Sequence, residues 1–242
     1  MAEPVARGTA RNGNRLLSQL PPEDLGRLRS HLVRVSTQPR DPLWEPDQPI
    51  QNVLFPLSSV NSILAVDDNG GQVEVGTVGN EGLVGLPLFL GARSAPGRAF
   101  TQIAGDSLRM DAGVFTEFAT SMASLRRRLQ LYTQAFVVQV SQSVACNQLH
   151  SADQRLARWL LSCADRVGED RFPLTQEFMA QMLGVRRATV SEAASSLQDR
   201  GLVKYSRGTL EICDRPGLIE AACSCYRIVR DQFDKLLGMP RG

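Results

Sequence analysis

The chain has 242 residues, enough for two domains of ordinary size, and its 43% hydrophobic and 21% charged residues are normal for a globular protein. Its net charge of +2 is too small to indicate nucleic-acid binding alone, so such a preference must come from local basic clusters. No apolar run approaches a membrane span in length and no hydrophobic signal region opens the sequence, which argues against a membrane partner and predicts a cytoplasmic protein.

Residues 1–13 are rich in Ala, Arg, Gly and Pro without an apolar period, which predicts a flexible tail. From Arg15 to Leu32, leucines recur at helical spacing and Pro21-Pro22 interrupts them. A helix broken at the two prolines is therefore expected here.

Short apolar runs separated by prolines follow, among them Val53-Leu54-Phe55 and the run from Ile63 to Val66. The segment Asp67-Asp68-Asn69-Gly70-Gly71 predicts a hairpin turn, because Asn and Gly tolerate the positive φ angles of tight turns. Such short strands favour a β-sandwich or jelly roll over about residues 35–112. We assign residues 14–120 to a β-roll effector or sensor domain.

From Ser121 to His150 apolar residues recur every three or four positions, which predicts one long helix. Further apolar residues lie outside that stripe. A helix that is apolar over more than one face commonly packs against both its own domain and a partner chain. Residues 121–150 are therefore assigned as a dimerisation helix, with a core helix of a single chain as the alternative. The predicted dimer contacts are Leu125, Leu129, Tyr132, Phe136, Val140 and Val144.

Residues 151–242 are assigned to a C-terminal domain. Its first part, residues 153–168, is an amphipathic segment that ends at Gly168, and residues 169–173 are expected to be a link. The segment from Leu218 to Leu237 is predicted to be helical again, after Arg215-Pro216-Gly217.

Between these parts, the stretch from Leu174 to Arg200 predicts two short helices separated by Gly184. Thr175 suits the N-cap of the first helix, and Glu177 suits its positively polarised first turn. Gly184 stands where the helix must end and the backbone must turn sharply, and Val185 can fill the corner. The pattern is typical of a helix-turn-helix.

The second helix, expected from about Arg187 to Arg200, has two distinct faces. One face carries Val190, Ala193, Ala194 and Leu197, and the opposite face carries Arg187, Ala188, Ser191 and Ser195. A helix that buries small and branched residues and exposes Arg and Ser in its first turns suits the DNA major groove. An amphipathic helical hairpin that binds no nucleic acid is the alternative.

Residues 202–212 favour the DNA-binding interpretation, because they predict a small β-hairpin with a basic tip at Ser206-Arg207-Gly208. A helix-turn-helix followed directly by such a hairpin is a winged arrangement, whose basic tip lies near phosphates. The predicted DNA contacts are Arg186, Arg187, Ala188, Thr189, Ser191, Glu192, Lys204 and Arg207.

With these residues in this order, the chain resembles the Crp/Fnr family of bacterial transcription regulators over about residues 14–212. The most specific part is Leu174 to Gly201, where the Thr-opened helix, the Gly turn and the Arg-x-Thr-Val start of the second helix match the family pattern. The resemblance implies an α+β protein. Its parts would be an N-terminal jelly-roll (cyclic-nucleotide-binding-like) domain, a long dimerisation helix and a C-terminal winged helix-turn-helix domain.

The resemblance also implies a homodimer that reads an inverted repeat of double-stranded DNA, with RNA polymerase as a protein partner. Arg187 would contact guanine, since the guanidinium fork matches O6 and N7. The chain departs from the family at two places. Ala188 stands where Glu is frequent and cannot accept a hydrogen bond from cytosine, and Glu192 stands where Arg is common. The operator of better-known members therefore cannot be transferred to this chain.

The effector site departs as well. In cyclic-nucleotide-binding members, a Gly-Glu-Leu turn supplies a carboxylate for the ribose and a following Arg-Ser pair holds the phosphate. Here the resemblance places Gly85, Leu86, Arg93 and Ser94 at these positions, so the carboxylate is missing. Losing a charge-assisted hydrogen bond costs roughly 1.5–3 kcal/mol. We therefore expect no ordinary cyclic AMP binding, with a cyclic-nucleotide-responsive regulator as the alternative and the effector itself unknown.

Other cofactors are not expected. Oxygen-sensing members bind an iron–sulfur cluster through cysteines near the N-terminus, and the first cysteine here is Cys146. Haem would need an axial ligand, and His31 in a leucine-rich segment is more typical of a structural role. The five cysteines suggest reduced thiols without a disulfide framework. Cys223-Ser224-Cys225 has the wrong spacing for a zinc knuckle, and no metal site is predicted, although a redox-sensitive pair remains an alternative.

An enzyme is the contrasting hypothesis. No Gly-rich phosphate loop, nucleophile elbow or histidine–carboxylate cluster is evident in the sequence, which therefore predicts no catalysis. A sensor that acts on another protein without binding DNA is a third class, and the outward Arg187 argues against it.

Overall fold

The computed structural model describes residues 13–238, so nearly all of the predicted tail at residues 1–13 lies outside the described residues. Helices α1 (Arg15–Ser18) and α2 (Pro22–Arg29) begin the fold on either side of the predicted break. Pro22 is the first residue of α2. Proline is favourable there because the backbone N–H that it lacks would have no hydrogen-bond partner in the first helical turn. The Asn14 side-chain amide donates to the Gly82 carbonyl at 2.7 Å, which fastens this segment to the domain that follows.

Seven strands form two antiparallel sheets, in agreement with the expected β-roll. One sheet has the order β1-β7-β3, formed by β1 (Val33–Thr37), β7 (Gly105–Asp111) and β3 (Asn52–Pro56). The other has the order β2-β6-β4-β5, formed by β2 (Pro42–Trp44), β6 (Arg98–Ile103), β4 (Val60–Val66) and β5 (Gln72–Val78). A one-turn helix, α3 (Leu86–Phe89), lies between β5 and β6.

The predicted turn at residues 67–71 joins β4 to β5. The Asp67 carboxylate accepts hydrogen bonds from the backbone N–H groups of Asn69 and Gly71, and Gly70 has a φ of 80°. The turn is thus closed by its own side chain, as is common for Asp in tight turns.

Helix α4 (Ala112–Ser121) follows the last strand of the roll, and the long helix α5 (Ala123–Leu149) begins after Met122. The dimer contacts predicted for α5 need correction. Leu125, Leu129 and Tyr132 are fully buried within the chain itself, packed against the β-roll. Phe136 and Val140 are half-buried, and only Val144 of the predicted set is largely exposed. The stripe with the strongest apolar period covers the helix's own domain, because the roll offers a large apolar surface to bury it.

The C-terminal part comprises α6 (Ala152–Val167), β8 (Arg171–Pro173), α7 (Gln176–Leu183), α8 (Arg187–Asp199), β9 (Val203–Ser206), β10 (Thr209–Ile212), α9 (Arg215–Ala221) and α10 (Cys225–Leu237). Two expectations were incomplete. The link at residues 169–173 contains β8, which pairs with β10 as the third strand of the wing sheet. The final segment is two helices separated at residues 222–224, and α10 returns to the β-roll, where Phe233 and Leu237 join its core.

The C-terminal domain packs against the outer face of the second sheet of the β-roll. Its main apolar core includes Val60, Leu64, Phe100 and Ile103 from β4 and β6. Phe178 of α7 lies edge-on to Phe100, with ring centroids 5.9 Å apart. The two domains therefore share a continuous apolar core at this contact.

Within the described residues, no helix combines the length and the hydropathy that a membrane crossing requires.

Candidate nucleic-acid interface and effector cavity

The corner of the helix-turn-helix has the expected local geometry. The Thr175 hydroxyl accepts a hydrogen bond from the Phe178 backbone N–H at 3.2 Å, so it caps α7. Gly184 has a φ of 62°, in the left-handed region that glycine adopts without strain. Val185 is half-buried and packs against the domain core. The backbone therefore turns sharply between α7 and α8, as the helix-turn-helix prediction requires.

Helix α8 divides into a buried and an exposed face, as its sequence predicts. Val190, Ala193, Ala194 and Leu197 are buried, whereas Arg186, Arg187, Ala188 and Glu192 are exposed. Arg186 occupies the N-cap with extended backbone, so Arg187 is the first helical residue. Because the first helical turn is exposed, the Arg187 guanidinium can reach the base edges of a duplex.

The wing lies directly beside this helix. The Gln198 side-chain oxygen of α8 accepts from the Tyr205 backbone N–H at 3.0 Å, which ties β9 to the end of α8. Arg207 and Gly208 form the tip with φ angles of 49° and 76°, and both Lys204 and Arg207 are exposed. The tight tip projects a cationic side chain outward, as phosphate contact requires.

Charge at this surface is mostly positive. The exposed basic residues are Arg186, Arg187, Arg200, Lys204 and Arg207, and none of them is in a salt bridge with another residue of the described range 13–238. Glu192 and Asp199 are exposed acidic residues on α8. An unpaired cluster of this kind attracts a polyanion, even though the net charge of the whole chain is small.

Two predicted contacts are less free than the others. The Ser191 hydroxyl lies 3.0 Å from the Gln176 side-chain oxygen and 3.1 Å from the Arg187 carbonyl, so its proton is engaged within the helix-turn-helix. Thr189 is half-buried and lines a hollow between α8 and the β4–β5 hairpin that also includes Gln72. Ser191 and Thr189 therefore make contacts within the protein that compete with contacts to DNA.

The predicted effector residues do not come together. Gly85 and Leu86 line a cavity of about 450 Å³ between the β-roll and α5. Arg93 instead lines a separate hollow beside α4, and its carbonyl accepts from the Ile50 backbone N–H at 2.9 Å. Ser94 lines neither of these two hollows. Ala95, Pro96 and Gly97 of the same loop line the cavity, whereas Arg93 and Ser94 do not. The sequence match in this loop therefore does not bring Arg93 into the wall that Leu86 lines.

The cavity is lined mainly by apolar side chains, with Trp44, Leu64 and Leu83 on the roll and Phe136 and Val140 on α5. Tyr132 also lines the cavity and carries a hydroxyl group, which donates a hydrogen bond to the Leu83 carbonyl at 3.1 Å. Burial raises the pKa of Tyr132 far above its usual value, so the ring stays neutral. No charged side chain lines the described cavity.

Buried polar contacts join the domains, and they were not predicted. Glu74 of β5 accepts from the Trp159 indole N–H of α6 at 2.8 Å, and burial raises the pKa of this carboxyl. Arg166 of α6 forms a buried salt bridge with Glu81 at 2.9 Å and also donates to Gln139 of α5 at 2.6 Å. These residues are far apart in the sequence and belong to no motif, so the sequence does not indicate that they meet.

A second unpredicted feature is a cluster of Cys146, His150, Cys223 and Cys225. The absence of a metal site was predicted from the spacing of Cys223 and Cys225. The fold brings these two cysteines together with Cys146 and His150, which spacing along the sequence does not indicate.

Comparison with known proteins agrees with this geometry. Residues 154–221 match the family model of the Crp-like helix-turn-helix domain. That match covers only the C-terminal part of the chain and identifies the helix-turn-helix region as similar to Crp-like domains. No curated protein sequence matches the chain.

Solved structures extend the likeness to the whole fold. A Crp/Fnr-family chain from Eubacterium rectale is 17% identical with a TM-score of 0.65, over 85% of this chain and 96% of that one. FixK2 from Bradyrhizobium japonicum is 16% identical with a TM-score of 0.68, over 79% and 98%. The c-di-GMP-responsive regulator CLP from Xanthomonas campestris is 15% identical with a TM-score of 0.63, over 79% and 99%. At such identities the likeness shows only that these structures share a fold with this chain, and their ligands remain their own.

Proposed function

We propose that this chain is a Crp/Fnr-type, sequence-specific transcription regulator that binds an inverted-repeat operator as a homodimer. The observation that carries the proposal is the exposed first turn of α8, which presents Arg187 beside a basic wing on an otherwise well-packed domain. A helix of this kind fits the major groove, and the wing cations fit the flanking phosphates. We propose no catalytic role, and RNA polymerase is the protein partner that the Crp/Fnr type suggests.

The proposed dimer uses the outward face of α5. Val137, Val144 and Leu149 expose 51%, 63% and 75% of their surface, which is unusual for residues of this size. Val137 and Val144 are seven residues apart and therefore lie on one line along the helix. A second copy of α5 across a two-fold axis would cover this line and place two α8 helices about one turn of DNA apart, ~34 Å between half-site centres.

Selection of bound sites from random duplexes, followed by binding of the best site over a salt series, tests this function. We expect an inverted repeat, and we expect log affinity to fall linearly with log salt as phosphate contacts release counterions. Equal binding to selected and scrambled duplexes at every salt concentration would reject a sequence-specific regulator. Absence of any duplex binding would favour the alternative, a sensor that acts on a protein partner.

We propose that the effector is not cyclic AMP bound in the usual way. Leu86 offers no carboxylate to a ribose, Arg93 lies outside the cavity, and the cavity wall is apolar. A small and largely apolar molecule fits such a wall better than a charged nucleotide does, since burying an unpaired charge is costly. Val137 and Val140 belong to the cavity wall and lie on or beside the proposed dimer face. A molecule bound in the cavity would therefore contact residues at the proposed dimer contact.

Thermal unfolding with and without added nucleotide tests the effector proposal. Cyclic AMP at ~100 μM should leave the melting temperature unchanged, whereas a ligand present at 100 times its Kd adds about 2.7 kcal/mol of stability. A clear upward shift with cyclic AMP would instead support the cyclic-nucleotide-responsive alternative.

A further inference from the structure

The cysteine–histidine cluster joins segments that are far apart in the sequence. Cys146 lies in the last turn of α5 and His150 is the C-cap of the same helix, so the two are one turn apart on one face. Cys223 lies in the short connection between α9 and α10, and Cys225 is the first residue of α10. The cluster thus forms where the long helix ends and the last helix begins.

The four ligand atoms lie close enough to share one ion. The three Sγ atoms and a His150 ring nitrogen are all within 4.8 Å of one another. The Cys146 and Cys223 Sγ atoms are 3.4 Å apart, and the Cys225 Sγ atom is 3.7 Å from His150 Nδ1. Zn–S bonds of ~2.3 Å at tetrahedral angles place neighbouring sulfurs ~3.8 Å apart. The observed spacing matches the edges of such a tetrahedron.

We propose that Cys146, His150, Cys223 and Cys225 form a structural zinc site. Three thiolates and one imidazole are a donor set that Zn²⁺ binds in closed, four-coordinate structural sites. An iron–sulfur cluster would distribute the thiolates over several irons and hold them further apart than this single tight group. On binding, each coordinated thiol gives its proton to solvent and nothing is oxidised or reduced.

The surroundings of the cluster suit an anionic complex. The three cysteines are at most 3% exposed and form an apolar cluster of their own, which keeps water from the site. Arg155 and Arg158 of α6 interact electrostatically with the Cys146 thiol. The Nε atoms of both arginines are buried without a hydrogen-bond partner among the described residues. Three thiolates around Zn²⁺ carry one net negative charge, which these guanidinium groups would offset.

The site would fix the connection between the two domains. Helix α5 ends at Leu149 and α6 begins at Ala152, so His150 lies within the short joint that leads into the C-terminal domain. The ion would tie this joint to the start of α10, which packs back on the β-roll. With all four positions taken by protein ligands, no coordination site is left for a substrate, and the role is structural.

Metal content and spectroscopy test the proposal. The full chain, purified under reducing conditions without chelator, should contain about one zinc ion per chain by elemental analysis. After removal of the ion under reductant, Co²⁺ should produce the visible bands of a tetrahedral site and the near-ultraviolet charge transfer of cobalt–thiolate bonds. Removing the ion should lower the melting temperature by roughly 5–10 °C, and added Zn²⁺ should restore it.

Matched variants separate coordination from folding. Cys225→Ser should lose the stoichiometric ion, whereas Cys213→Ser should keep it, because Cys213 is an exposed thiol outside the cluster. His150→Cys should retain the ion with four thiolates and shift the cobalt charge-transfer band. Position 225 is buried, so a serine there can lose the ion simply by unfolding the protein. The cobalt spectrum of the unaltered chain and the retention of the ion by His150→Cys therefore decide between coordination and folding.

Three results would overturn the proposal. One is unaltered protein that, fully reduced, neither contains zinc nor yields a tetrahedral thiolate spectrum with Co²⁺. Another is ion retention by Cys225→Ser equal to that by Cys213→Ser. The third is a mass two hydrogens lower in freshly purified protein, with a peptide linking Cys146 to Cys223, which would identify the pair as a disulfide.

Discussion

Arg187 is the residue on which the proposed recognition of a base sequence should depend most. It is exposed at the first helical position of α8, so its guanidinium can form two parallel hydrogen bonds to guanine. Arg187→Ala should weaken operator binding by roughly 1–3 kcal/mol per half-site and remove the preference for one guanine in each half. Competition titrations against every single-base variant of the selected operator measure both effects.

Arg29→Ala is the control for Arg187→Ala, because it removes the same charge from an exposed position on α2. It should leave the base preference unchanged. If Arg187→Ala lowered the affinity for operator and scrambled duplex equally, with the guanine preference intact, the role of α8 in base recognition would be refuted.

Lys204 and Arg207 should act differently, since both lie on the wing and would contact phosphates. Replacing both with alanine should weaken binding to all duplexes alike. The slope of log affinity against log salt should become shallower by about 0.9 for each phosphate that the variant no longer neutralises. A salt series on operator and scrambled DNA measures this, and a change in base preference with an unchanged slope would contradict the assignment.

Helix α5 has two apolar faces, of which one is buried in the chain and the other is exposed. One face, with Leu125, Leu129 and Tyr132, is buried against the β-roll, and the other leaves Val137 and Val144 exposed. Val137→Glu combined with Val144→Glu should produce a folded monomer, because a partner helix would have to bury two carboxylates without compensation. Sedimentation at micromolar concentration should show half the mass of the unaltered protein, and operator affinity should be lost.

Val33→Glu is the control for this pair, since Val33 is 54% exposed on β1 of the β-roll. It should remain dimeric. A monomeric unaltered protein, or a double variant that still dimerises, would show that this face of α5 is not the dimer contact.

Buried polar contacts, beside a shared apolar core, join the C-terminal domain to the roll. Glu74 lies in this contact with Ser62, Thr77 and Trp159 donating to its carboxylate, while Arg158 acts on it electrostatically. Burial is the largest influence, and it raises the pKa of Glu74 above the ordinary 4.5. The folded chain therefore keeps this proton at pH values where the unfolded chain has released it.

The sign of the resulting pH dependence follows from proton uptake. Between about pH 4.5 and the raised pKa the folded state binds more protons, so the free energy of unfolding falls as pH rises. The contribution is fully present below the unfolded pKa and is lost through the folded one, with a slope of at most about 1.4 kcal/mol per pH unit. Glu74→Gln should remove this component and flatten the profile.

Urea unfolding between pH 4.5 and pH 8 compares the two proteins, with Glu117→Gln as the control on an exposed position of α4. The control should follow the unaltered profile. Parallel profiles for Glu74→Gln and the unaltered protein would show that Glu74 keeps its ordinary pKa in the folded state.

The helix-turn-helix, the wing and the hairpin at residues 67–71 could be predicted from short stretches of sequence. These depend on interactions between residues a few positions apart. A Thr175 hydroxyl caps its own helix, Gly184 supplies a left-handed φ, and the period of Val190, Ala193 and Leu197 defines which face α8 buries. Each of these segments prefers its conformation locally, and the tertiary structure keeps that conformation.

Which apolar face of α5 is buried becomes evident only in the folded chain, because both faces are apolar and the choice depends on the surface that the β-roll offers. The fold likewise places Arg93 at a hollow beside α4 and not in the wall of the cavity that Leu86 lines. Cys146 and His150 meet Cys223 and Cys225 only because α10 folds back along α5. Contacts between distant segments depend on how all the apolar surfaces of the chain are buried together, and no short stretch of sequence contains that information.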